Sequence, residues 1–211
     1  MADWVTISAL ATAGGTLVLA GATFASVRSA NRAARAAERS MLAGMRPVLM
    51  PSHLEDPPQK IGFVDSKYLV APGGGGAAEA TDEAVYLGFA VRNAGNGIAV
   101  LHGWYLNDTV SFGPDASHVP LEKFHSLTRD LYIPANDIGF WQGAFRDRET
   151  PEFAHARDVV NARERLVIDV LYGDHEGGQR VVTRFAMNPR EDDGWLVTAA
   201  RHWNIDRPDP R

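Results

Sequence analysis

Asp174, His175 and Glu176 form the densest run of titratable side chains in this 211-residue chain. Two carboxylates and an imidazole are the groups from which a metal site or a general acid–base pair is built. The three are consecutive, however, with Gly173 before them and Gly177 and Gly178 after. Glycines in this pattern mark a turn, and successive turn residues point in divergent directions. The plainer expectation is a solvated hairpin tip, with an enzyme site at these three residues as the alternative. No glycine-rich segment ends in Gly-Lys-Ser/Thr, and no Gly-x-Ser-x-Gly elbow is present. The chain has no cysteine, which excludes a thiolate zinc site, a disulfide framework and a cysteine nucleophile together. No catalytic residue, metal ligand set or cofactor is therefore predicted.

A second set of residues has a different chemistry. Arg28, Arg32, Arg35 and Arg39 are spaced 4, 3 and 4 apart, which places four guanidinium groups on one face of a helix. Such a face suits contact with anionic lipid headgroups, at about 1 kcal/mol per residue near the surface. Directly before it, Trp4 to Val27 are 24 residues without a charge. As a helix they would be about 36 Å long, against about 30 Å for a bilayer core. A cleaved signal peptide needs a basic segment ahead of its apolar run. Here Met-Ala-Asp precedes the run and the arginines follow it, so a retained transmembrane helix is expected. The positive-inside rule then puts the N-terminus outside and the rest of the chain in the cytoplasm. An outward-facing binding domain held by the same helix is the other reading.

The charge balance agrees with that division. Residues 1–46 hold five arginines against two acids, a balance of +3, and the remainder carries −8 of the total of −5. A basic segment beside lipid and an acidic domain in water fit this asymmetry, and an acidic chain is a poor nucleic-acid binder. Alanine and arginine favour helix, so the membrane helix should run on through residues 28–46 as a basic stem, with Gly44 and Pro47 as stop signals. Val27, Ala30, Ala34, Ala37 and Met41 form a second, small-residue seam through which two helices could pair as a homodimer.

Beyond Arg46 the pattern turns to alternation. Val85, Leu87, Phe89 and Val91 alternate with Tyr86, Gly88, Ala90 and Arg92. Asn93 to Gly97 is a turn, and Ile98 to Leu106 should return as a hairpin with Val100, His102, Trp104 and Leu106 on one side. Leu166 to Tyr172, Val181 to Met187 and Trp195 to Trp203 repeat the pattern. Shorter strands are expected at 47–52, 60–64, 68–71, 127–133 and 139–145, and a flexible surface loop at 72–76 and the acidic stretch after it. One helix should start at Thr150, as cap, and Pro151, with Phe153, Ala156, Val159 and Val160 inward. The fold class is mainly β: a transmembrane helix over 1–27, a basic juxtamembrane helix over 28–46, and over 47–211 an antiparallel immunoglobulin-like β-sandwich with one short helix.

Within that domain, His102 and His202 are expected to be hydrogen-bonded core or boundary residues, and Trp104 a core tryptophan. Asp169 should face outward or pair with Arg184 across a hairpin, and Phe140, Trp141 and Trp195 should pack in the core rather than line a groove.

The stretches RPVLMPS, YLGFAVRNAGNGIAVLHGW, IPANDIGFWQGAF, LYGDHEGGQR and ARHWNIDRPDPR resemble those of a group of uncharacterised actinobacterial single-pass membrane proteins. The resemblance runs from about Arg28 to Arg211; it implies origin and architecture, and no chemistry. The expected function is that of a non-catalytic binding or scaffold protein whose partners are the lipid bilayer and a protein, with no nucleic acid.

Overall fold

A computed structural model describes residues 3–108 and 116–206; Met1, Ala2 and the closing RPDPR stretch of the sequence lie outside them. Two compact units divide at Gly44 and Met45.

The first unit is one helix, α1 (Trp4–Gly44), in which the apolar run and the basic stem are continuous. Its hydroxyls turn back on the helix. Ser8 donates to the Val5 carbonyl at 2.9 Å, Thr12 to Ser8 at 2.9 Å, Thr16 to Thr12 at 2.8 Å and Thr23 to Leu19 at 2.8 Å. These bonds satisfy side-chain donors that would otherwise be costly in hydrocarbon. The helix ends where Gly44 and then Pro47 make continuation unfavourable.

The second unit contains β1 (Leu49–Pro51), β2 (Gln59–Gly62), β3 (Tyr68–Ala71), β4 (Gly75–Ala80), β5 (Val85–Asn93), β6 (Ala99–Asn107), β7 (His125–Ile133), β8 (Ile138–Phe145), α2 (Pro151–Asn161), β9 (Leu166–Gly173), β10 (Val181–Pro189) and β11 (Trp195–Asn204). Nine strands form one antiparallel sheet. Its order is β1-β5-β4-β11-β10-β9-β6-β7, with β8 on the other side of β5. This sheet curls into a half-barrel. The inner faces of β5, β6, β8, β9, β10 and β11 close on one core that includes Phe89, Trp104, Trp141, Ile168, Tyr172 and Phe185. Helix α2 adds Phe153, Ala156 and Val160 to it; Thr150 caps the helix by accepting from the Phe153 N–H at 3.3 Å.

Strand β5 is covered on both faces. Its outer face carries Tyr86 and Ala90, on which the β2–β3 hairpin lays Ile61, Phe63, Leu69 and Ala71.

Three local expectations change. The residues expected to be a flexible loop include β4, which lies between β11 and β5. A Cβ at Gly76 would sit 3.0 Å from the Gly88 carbonyl and 3.1 Å from Phe89 Cβ, so glycine here allows close backbone approach. Strands β5 and β6 do not form a hairpin: β6 pairs with β7 and β9 instead. The Asn93–Gly97 segment crosses between opposite parts of the sheet, and Asn93, fully buried, holds it. Its Nδ2 donates to the carbonyls of Gly97 (2.6 Å), Ile133 (3.1 Å) and Pro134 (3.2 Å), while its Oδ1 accepts from the N–H groups of Val48 and Gly95. Finally, a bulge between Leu101 and Gly103 shifts the inward set of β6 from Ala99 and Leu101 to Trp104 and Leu106, which leaves His102 exposed.

Candidate functional site

Asp174, His175 and Glu176 fall on the β9–β10 connection, a hairpin tip as expected, but only His175 and Glu176 are solvated there. Asp174 is buried and its carboxylate accepts from the Gly178 N–H at 2.8 Å, while its carbonyl accepts from Gly177 at 3.2 Å. His175 and Glu176 are exposed. The Asp174 side chain thus works as the turn's internal cap. Among the described residues no group of three or more His, Cys, Asp or Glu side chains could hold a metal ion.

Arg28, Arg32, Arg35 and Arg39 all lie on α1 and are all exposed. Helical spacing brings them to a common face just beyond the apolar run. That run is itself bare within its own unit: Trp4 is 81% exposed, Leu17 76% and Phe24 69%. From Ile7 the helix is long and apolar enough to cross a membrane.

The folded domain carries one further feature, which alternation alone did not disclose. Strands β7 and β8 each pair with a single strand, β6 and β5, and among the described residues no ladder joins them. They are close near their connection, where a Cβ at Gly139 would lie 2.9 Å from Ile133 Cγ1. Away from it they part, and Arg129 on β7 reaches across to Gln142 Oε1 at 3.3 Å. Beyond that bridge opens a cleft of about 200 Å³, whose lining includes Phe63, Trp104, His125, Thr128, Gln142 and Arg146. Its floor is aromatic: Trp104 stacks against His125 (centroids 4.9 Å apart) and meets Phe145 (5.0 Å) and Trp141 (5.4 Å) edge-on. The cleft is made by two strands that do not pair, and neither strand's alternation records that.

At the rim, Arg146 Nε donates to Asp65 at 3.3 Å, and the Tyr86 hydroxyl donates to the same carboxylate at 2.5 Å. Burial pushes the Asp65 carboxyl up, but the hydrogen bonds from Tyr86 and Arg146 outweigh it and hold the group below its ordinary value. The same hydrogen bond, with burial added, raises the Tyr86 hydroxyl. The lining offers aromatic faces, hydroxyls and a guanidinium, which is the chemistry of recognition.

The remaining expected residues lie inside. Asp169 takes the paired alternative, meeting Arg184 in register. Trp104, Trp141 and Trp195 are buried in the core, and Phe140 packs against the outer cluster. His202 Nδ1 lies 2.7 Å from Thr183 Oγ1, which in turn meets the Tyr172 hydroxyl at 3.0 Å.

No protein-family model matches the chain, and no curated protein matches it either.

Proposed function

We propose that this chain is a membrane-anchored, non-catalytic binding or scaffold protein that displays its β domain on the cytoplasmic face. One observation carries the reading: an apolar helix with its side chains uncovered, followed on the same helix by a stripe of exposed arginines. Exposed apolar surface of this extent calls for lipid or for another helix. The whole of α1, at 41 residues, would be about 62 Å long, roughly twice a bilayer core. A helix that spans with its first half places Arg28, Arg32, Arg35 and Arg39 at and beyond the headgroups on the exit side. The positive-inside rule makes that side the cytoplasm.

Anchoring concentrates the domain at a surface and raises its effective concentration for a partner there. The curled sheet would serve as a display scaffold in the manner of an immunoglobulin-like sandwich: a closed apolar core with edges and loops left free. The resemblance to actinobacterial single-pass membrane proteins supports the same architecture. Pairing of two helices through the Ala30, Ala34 and Ala37 seam is compatible with it.

Membrane fractionation of cells expressing a C-terminally tagged chain tests the anchor, and protease treatment of intact cells tests its orientation. The expected results are a surfactant-dependent membrane fraction and a protected tag. Recovery of the intact chain in the aqueous fraction would remove the anchor, and a digested tag would reverse the orientation.

A further inference from the structure

We propose that Leu49, Tyr172, Thr183 and His202 form a directional hydrogen-bonded latch across the seam between β1 and β11, and that protonation of His202 opens it. Three observations carry the proposal.

The first is the seam. Strand β11 pairs with β4 at Trp195 and Leu196, and Val197 adds one bond to the Gly74 carbonyl. The rest of β11 runs on beside β1, yet among the described residues no ladder joins these two strands. Side chains bridge the seam in place of backbone. The Leu49 N–H of β1 donates to the Tyr172 hydroxyl at 3.0 Å. That hydroxyl lies 3.0 Å from Thr183 Oγ1, which lies 2.7 Å from His202 Nδ1 on β11. Strand β1 is the first strand after the stem, so the latch fixes the point where the folded domain begins.

The second is direction. A backbone N–H only donates, so the Tyr172 oxygen accepts from Leu49 and turns its own hydrogen to Thr183. Thr183 accepts that hydrogen and turns its own to His202. His202 Nδ1 is therefore an acceptor, and the ring is neutral with its hydrogen on Nε2. Tyr172 and Thr183 are both fully buried, so water offers neither another partner. Burial also raises the Tyr172 hydroxyl above its ordinary value, which keeps the phenol protonated.

The third is a count. Two gaps, Tyr172 to Thr183 and Thr183 to His202, are filled by two hydroxyl hydrogens. Protonating His202 puts a third hydrogen on Nδ1 and adds no acceptor. One of the three must then lose its bond in a place closed to water, and the chain breaks. His202 is half-buried and is the member that solvent protonates. The charged groups on the packed elements offer no relief. Strand β1 carries none. Arg46, just before it, acts on both Tyr172 and Asp206. On the β10 side, Arg180 engages Asp206, and Arg184 is held by Asp169. On β11, Arg201 lies over the Trp203 ring. A guanidinium has no acceptor for the surplus hydrogen. Below the ordinary imidazole value of about 6.5, the strand that follows the stem is thus loosened.

The test uses the isotope-labelled full chain in lipid nanodiscs. Long-range proton–nitrogen NMR at about pH 7.5 should show His202 neutral, with its hydrogen on Nε2 and Nδ1 bare. Hydrogen exchange at the Leu49 amide, corrected for the intrinsic effect of pH, should quicken about tenfold at about pH 5.5, the order expected of one lost hydrogen bond. The Phe89 amide of β5 should keep its protection. His202→Asn places a non-titrating amide oxygen within reach of Thr183, and its Leu49 exchange should be independent of pH over the same range. A hydrogen on Nδ1 at pH 7.5 overturns the latch. So does unchanged Leu49 protection at pH 5.5, equal loss at Phe89, or the same quickening in His202→Asn. Should His202→Asn fail to fold, the tautomer and the wild-type exchange decide. The outcome is separate from the anchor, since the latch lies wholly within the β domain.

Discussion

Arg184 grips Asp169 from the neighbouring strand with two hydrogen bonds, Nε to Oδ1 at 2.7 Å and Nη2 to Oδ2 at 2.8 Å, and both side chains are essentially out of water. The same guanidinium donates to Asn107 Oδ1 and the Ser117 carbonyl, both at 3.2 Å, and lies over the Trp203 ring. It therefore joins β9, β10, β6 and the segment after Ala116 at one point.

Removing one partner would strand a buried charge. Asp169→Leu should cost about 3–5 kcal/mol, and so should Arg184→Met. The double variant Asp169→Leu with Arg184→Met should lose less than the sum of the two singles, because no unpaired charge is left. Urea unfolding of the four proteins measures the coupling; strict additivity would show that the pair does not act as a unit.

Two glycines that look alike in sequence should behave differently. A Cβ at Gly97 would collide with the Met45 carbonyl oxygen, whereas a Cβ at Gly178 meets nothing within 4 Å. Gly97→Ala must displace backbone and should leave little folded protein in the soluble fraction of detergent extracts. Gly178→Ala should change stability by less than about 0.5 kcal/mol. Comparable yields and melting curves for the two would contradict the close approach.

The Tyr172 hydroxyl accepts from the Leu49 N–H at 3.0 Å and meets Thr183 Oγ1, in full burial. Tyr172→Phe should cost about 1–3 kcal/mol at neutral pH, since it leaves the Leu49 N–H unpaired. Burial also raises the hydroxyl above its ordinary value of 10.0, against the opposing hydrogen bonds with Thr183 and Leu49. A group raised in the folded state contributes fully below its unfolded value, and that contribution fades as pH climbs above about 10 toward the folded value. Stability measured from pH 8 to 11 should fall more steeply in the wild type than in Tyr172→Phe. Parallel curves would refute the role of this phenol in alkaline unfolding.

Thr150→Ala should cost about 1 kcal/mol, because the Phe153 N–H loses the hydroxyl that caps it. Thr150→Ser should restore most of the loss. Equal stability of all three proteins would mean that the cap contributes nothing.

Much of this fold was legible from residue order. The uncharged run and its arginine flank specified α1; Thr150 and Pro151 specified the start of α2; Tyr68–Ala71 emerges with the expected bounds. The turn at Asp174 was also legible, since glycines bracket it. Gly75–Ala80 was not. Glycines that permit a loop and glycines that permit two backbones to touch are the same letters, and only the neighbours Gly88 and Phe89 separate the cases.

The amino-acid sequence by itself determined both helices and most strands, β4 excepted, as well as where an apolar span meets a basic face. These follow from local periodicity and charge, and both are properties of neighbouring residues in the chain. Tertiary structure alone decided that β5 pairs with β8 and not with β6, that Asn93 serves as a buried clasp, and that β7 and β8 part to leave a cleft. Ladder hydrogen bonds join backbone to backbone and are nearly blind to side-chain identity, so the choice of partner strand is made by the packing of the whole core.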